Sequence, residues 1–185
     1  MEKGTYGYID QKKKSQLIKT IIAFAIAFIT LLVGYLLNDN SKKNIFTILA
    51  VLVVLPATKQ LIGYILFLPF HSMKKQTYEE VNQKKKDTDF LYTDLIITSR
   101  EKVMSLSFLM IKGNKIVGFC EREKENVNYI SEYLQKTIEA RMLPYKVKIV
   151  KDYKIFMKEI EKDSNQVVES KDFNDLKDYI KSLLA

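Results

Sequence analysis

Apolar and polar positions follow two different rules along this chain. Between Thr20 and Phe70 the apolar residues run on with no period. Thr20–Leu37, TIIAFAIAFITLLVGYLL, carries no charge, and Asn44–Phe70, NIFTILAVLVVLPATKQLIGYILFLPF, carries one, Lys59. An α-helix needs about 20 apolar residues to cross a hydrocarbon layer of ~30 Å, and its backbone groups must be satisfied internally there. The pattern predicts two transmembrane helices, over 17–37 and 44–70, the second with a possible interfacial extension. Residues 38–43 form the turn between them, and residues 1–16 a polar N-terminal arm.

From Lys74 onward the period returns. Lys74–Lys86 reads as a juxtamembrane helix, with Thr77 and Glu80 as a capping-box pair. Phe90–Thr98, Lys102–Lys112 and Lys115–Cys120 are β-favouring runs. Gly113-Asn114 is a two-residue hairpin signal, and Ser99–Glu101 turns the first run into the second. Ser105 and Ser107 read as the solvent side of the middle strand. Over Glu125–Met142 the apolar spacing becomes helical, with Asn126 as N-cap and Pro144 beyond the end. Tyr145–Lys151 is a fourth strand. Asp152 caps a helix over Tyr153–Lys162, Asp163–Glu169 is a polar linker, and Ser170 or Asp172 starts the last helix. The fold class expected is a two-helix transmembrane hairpin plus a small α+β cytoplasmic domain over 74–185: a three-stranded antiparallel meander, a helix, a fourth strand and C-terminal helices.

Charge changes the picture by orienting the hairpin. The chain carries a net charge of +8. Lys12, Lys13, Lys14 and Lys19 precede the first apolar run, and Lys74 and Lys75 follow the second. The intervening turn has only Lys42 and Lys43. Positively charged flanks stay inside, so both termini are expected in the cytoplasm, at the plasma membrane of a bacterium. The bacterial origin is a compositional reading of a Lys- and Ile-rich, tryptophan-free chain. The six flanking lysines are candidate headgroup contacts for anionic inner-leaflet lipid. From Lys74 onward, 22 basic residues face 19 acidic ones, which argues against a nucleic-acid-binding domain.

Lys59 stands about 15 residues beyond Asn44, roughly 22 Å along a helix. It is either an intramembrane contact for a partner or a second copy, or a snorkelling side chain marking the inner interface. Pro56 is expected to kink its helix. Ala23, Ala25, Ala27, Gly34, Ala50, Ala57 and Gly63 are small enough to let helices approach closely.

Candidate chemistry is sparse. His71 is the only histidine, and reads as an interfacial anchor. Cys120, the only cysteine, reads as a small buried hydrophobe, with a thiol activated by Arg122 and Lys124 as the alternative. The α-β-β-β-α-β order over residues 76–151 resembles the minimal core of the restriction-endonuclease-like fold. That resemblance implies an acid on the second core strand and an acid-x-lysine pair on the third. Here Ser105 and Ser107 occupy the middle strand, Glu121-Arg122-Glu123-Lys124 follows the third with different spacing, and Asp94 is the acid of the first. No catalytic, cofactor-binding or metal-ligating residue is assigned, and no cofactor is expected. The expected function is a membrane-anchored binding or regulatory module with a protein partner or self-association. The alternatives are a tethered, diverged nuclease-like phosphoester enzyme with Asp94 beside Glu121 or Glu123, and a small subunit of a membrane complex or transporter.

Overall fold

The computed structural model describes residues 2–38, 45–99, 101–162 and 170–185. The expected turn with Lys42 and Lys43, the residue Asn44 and the polar linker lie outside them. Two compact units emerge. Residues 9–71 form one. Residues 1–8 and 72–185 together form the other, which is therefore built from both sides of the apolar segment.

The apolar unit consists of α1 (Tyr8–Leu37) and α2 (Ile45–Phe67). Both are long and apolar enough to cross a membrane. α1 begins well before Leu17, so the polar stretch with Lys12, Lys13 and Lys14 is itself helical. α2 runs unbroken through Pro56 to Phe67. Within this unit Lys13 Nζ donates to Phe70 O at 2.7 Å and lies 3.1 Å from His71 Nδ1. A methyl group added at Gly63 would come within 3.1 Å of Gln16 Nε2, so the start of α1 lies beside the end of α2. Of the small residues, Ala27, Gly34, Ala50 and Ala57 are buried. Most large side chains are not: Phe28 is 63% exposed and Leu36 72%.

The second unit is an α+β fold around a four-stranded mixed sheet of order β1-β2-β3-β4. β1 (Phe90–Thr98), β2 (Val103–Lys112) and β3 (Lys115–Phe119) make an antiparallel meander, and β4 (Lys146–Val150) joins β3 in parallel. Gly113, at φ +53°, turns β2 into β3. α4 (Val127–Glu139) is the crossover a parallel pair requires. Its Leu134 and Ile138, with Leu176 and Ile180 of α6 (Ser170–Leu183), cover one face of the sheet. Val81 of α3 (Lys75–Lys84) and Phe156 and Ile160 of α5 (Tyr153–Glu161) cover the other. The sheet is the middle layer of three.

Two N-caps form as the residue types dictate. Asn126 Oδ1 accepts from Asn128 N and Tyr129 N, each at 3.1 Å. Asp152 Oδ1 accepts from Lys154 N and Ile155 N, at 2.7 and 3.1 Å. The Thr77–Glu80 capping box does not form. α3 begins at Lys75, within the expected span, behind Lys74 as N-cap, which stands three residues before Thr77 and makes no side-chain cap. The amphipathic α6 lays Leu176 and Ile180 on its own sheet.

The middle strand also departs from expectation. Ser105 is buried and donates to Glu125 Oε1 at 3.2 Å; it is not on a solvent face. Met104 and Leu106 pack with α4 and α6, Phe108 and Met110 with α3 and α5, then Leu109 and Ile111 again with α4 and α6. The strand turns over between Leu106 and Phe108. β1 does the same between Tyr92 and Leu95, where Asp94 adopts φ +53°. The pair Asp94–Ser107 is missing from the ladder, while the register on either side is unchanged. Aspartate tolerates this left-handed backbone better than most residues, and its carboxylate is held by Ser72 Oγ at 2.5 Å.

Both sheet edges are covered. Along β4, Gln135 Oε1 accepts from Val147 N at 2.8 Å and its Nε2 donates to Tyr145 O at 3.2 Å. Along β1, Thr93 N donates to Gly4 O at 3.0 Å, Ala185 N donates to Ile96 O at 2.9 Å, and Leu184 bridges Ile97.

Candidate functional site

The covered edge of β1 is also where the α+β unit opens a cleft. Gly4 adopts φ +79°, and a Cβ there would meet Tyr92 Cδ1 at 2.5 Å. Only glycine lets the N-terminal segment come this close to the strand. The segment is pinned by Gly4 O on β1, by Lys3 Nζ donating to Leu184 O at 2.7 Å, and by Tyr8 OH donating to Ala185 O at 3.0 Å. Tyr6 then stacks on Tyr78 of α3, centroids 4.4 Å apart and planes within 14°.

Opposite, the phenol of Tyr92 donates to Lys177 O at 2.8 Å. Lys177 Nζ lies 4.2 Å from the Phe90 ring centroid, a cation–π geometry. Between these walls is a cleft of about 440 Å³. Four lysines line it, Lys3, Lys85, Lys177 and Lys181, against Glu2 and Asp178. Lys181 pairs with Glu2 at 3.4 Å, whereas Lys85 and Lys177 have no carboxylate partner among the described residues. The Thr93 hydroxyl, in the same wall, is buried without a hydrogen-bond partner among the described residues. Burial, then the nearby Asp178 charge, pushes the Tyr92 phenol up to about 12.

A second cavity, of about 560 Å³, lies between the end of α4 and α6. Its guanidinium, Arg141, already sits 4.0 Å over the Tyr179 ring. Elsewhere Cys120 is buried, with Sγ 3.3 Å from Ser105 O. Burial raises its thiol pKa, outweighing the lowering by Arg122 and Lys151. The activated-thiol alternative therefore has no support in the geometry.

The residues singled out in the sequence are dispersed. Asp94 is buried in β1, Glu121 and Glu123 are exposed beyond β3, and β2 lies between those strands. Among the described residues no three carboxylate, histidine or cysteine groups gather as they would around a metal ion. Lys13 pairs with Asp10 at 3.3 Å and with Phe70 O. Lys75 pairs with Glu79 at 3.5 Å. Lys14, Lys19 and Lys74 are exposed, and Lys12 is half-buried. Lys59 is exposed on α2, with no ion-pair or hydrogen-bond partner among the described residues.

No local signal announced the cleft. Residues 1–16 read as one polar arm, yet residues 3–6 belong to the α+β unit and meet residues more than 170 positions away. The one hint is Gly4 and Gly7 set among tyrosines, a strap motif only in hindsight. No protein-family model, curated protein or solved structure matches this chain.

Proposed function

We propose that the protein is a membrane-anchored binding or regulatory module. α1 and α2 cross the bilayer of a bacterial plasma membrane as a hairpin, with residues 38–43 outside. Both termini and the α+β unit are cytoplasmic, and the unit acts by holding a partner. One observation carries this reading. Residues 1–8, up to the start of α1, and residues 72–185, after α2, belong to one folded unit, which supports both ends of the apolar segment emerging on the same side. The lysines around them, Lys12, Lys13, Lys14, Lys19, Lys74 and Lys75, support the cytoplasmic side and suit anionic headgroups. The lysine-lined cleft supports binding as the mode of action.

The test is membrane fractionation followed by capture in mild detergent from the native host. The protein is expected to resist alkaline carbonate extraction. Protease added to the cytoplasmic face should reach the α+β unit, and a defined partner should co-purify reproducibly. Carbonate release, or protection of the α+β unit from that face, refutes the anchor. Capture that returns no reproducible partner counts against the module.

Lys59 favours a second reading, as a subunit of a larger membrane complex. An unpaired cation on an otherwise apolar helix is costly in lipid unless it snorkels or finds an anion. In that reading Lys59→Leu reduces the size of the detergent-extracted assembly. Unchanged assembly removes the motive for it.

A further inference from the structure

We infer that the cleft beside β1 binds a phosphate-bearing ligand with a planar ring, of mononucleotide size. The inference rests on reading the α+β unit as a binding module and names what it holds.

Three features converge. The volume, about 440 Å³, falls within the range of small-ligand sites, roughly 300–1,000 Å³. Its charge is cationic: Lys85 has no carboxylate partner among the described residues, Lys177 has none either but lies over the Phe90 ring, and ammonium groups bind phosphate as point charges. Its aromatic wall is the stacked Tyr6–Tyr78 pair, and aromatic faces accept any nucleobase.

Polar groups complete the set. Asn82 lines the cleft and offers both an amide donor and a carbonyl acceptor, the pair a base edge requires. The Thr93 hydroxyl is the buried polar group in this wall still without a partner among the described residues. Glu2 and Asp178 at the same cleft oppose further phosphates. A single nucleotide therefore fits this lining better than a continuing strand, in keeping with the near balance of charge from Lys74 onward.

The strap makes the site. Gly4 brings Tyr6 onto Tyr78 by lying against Tyr92, where a side chain would collide. The ring platform exists because residues 2–8 are docked there.

The test uses the full-length protein in nanodiscs and isothermal titration with the four ribonucleoside monophosphates, inorganic phosphate and glycerol phosphate. At least one nucleotide should bind with one-to-one stoichiometry, about tenfold or more tighter than either ringless phosphate, and should weaken as salt rises. Lys85→Gln, at an exposed side chain, should lower that affinity about tenfold without changing the melting temperature. Tyr78→Leu should bring nucleotide affinity down to that of glycerol phosphate. Equal binding of glycerol phosphate and nucleotide overturns the ring assignment, and with it the inference. So does nucleotide binding that Lys85→Gln and Tyr78→Leu leave untouched, or no nucleotide binding at all. Partner capture is a separate readout, so the binding-module reading stands or falls by that.

Discussion

The two units spend the same residue types in opposite ways. In α1 and α2 phenylalanine, leucine and isoleucine point outward; Phe28, Leu36 and Leu55 are each more than 60% exposed. In the α+β unit Phe108, Leu134 and Ile138 are at most 1% exposed. Burial there follows a strict period, one stripe per helix, whereas α1 and α2 are apolar on nearly every side. A helix stripe tells where the core is. A helix without one tells what its solvent is. On the proposed reading, the surroundings of α1 and α2 are lipid, and their close contacts rest on small residues such as Ala50 and Ala57.

The largest expected effect tests this contrast with one substitution made twice. Phe108→Ala, in the aromatic cluster with Phe119 and Phe156, should cost the α+β unit about 3–5 kcal/mol. Phe28→Ala should leave it within about 0.5 kcal/mol. Chemical denaturation followed by circular dichroism in detergent measures both; equal effects would erase the distinction between the units.

A charge on the exposed face comes next. Phe28→Arg should disfavour insertion by about 2.5–3.5 kcal/mol, read as the fraction released by carbonate, while the α+β unit's unfolding stays put. Retained insertion would mean that this face of α1 is not against lipid.

Alkaline titration sharpens the comparison within the α+β unit. Burial first, and a nearby carboxylate second, push the phenols of Tyr92 and Tyr145 up to about 12 from an ordinary 10.0. The fold favours their neutral form. That contribution is fully present below pH 10 and is lost as the pH climbs towards 12, because the unfolded chain ionises first. Ultraviolet titration of the folded protein should show late-ionising tyrosines, with loss of the fold in the same window. Ionisation of every tyrosine near pH 10 in folded protein would contradict the burial described.

The smallest effect concerns the caps. Asn126→Ala and Asp152→Ala should each cost about 1 kcal/mol, additively within a few tenths since they sit on different helices. The double variant's denaturation midpoint checks this. A clear excess over the sum would show that α4 and α5 are coupled through the sheet.

Much of the α+β unit was legible because its signals are local. Asn126 and Asp152 cap because a short polar acceptor precedes each apolar stripe, and Gly113-Asn114 turns because glycine admits positive φ. Thr77 misled because T-x-x-E occurs inside a helix as easily as at its start; Met73 and Val81, packed in the same cluster, mark where α3 is held. Ser105 and Ser107 misled because S-L-S-F alternates like a half-exposed strand. β2 is in fact covered on both faces, and its alternation reverses opposite Asp94, a backbone state that no side-chain pattern records. The cleft was invisible for a different reason. Its walls come from residues 2–6, 78–93 and 177–181, so it exists only in the tertiary fold.

The strap on β1 also sets a timetable for biogenesis. Residues 2–8 leave the ribosome well before Thr93 and Leu184, to which they bind. Residues 184 and 185 are themselves needed to close the strand beside Ile96 and Ile97. At about 5–20 residues per second, the opening segment waits on the order of ten to forty seconds for its last partners. During that interval the apolar segment is made and, on the proposed reading, inserted, while the sheet edge stays open. On the proposed reading, insertion therefore precedes completion of the fold, and the sheet edge is left open while the chain is already at the membrane.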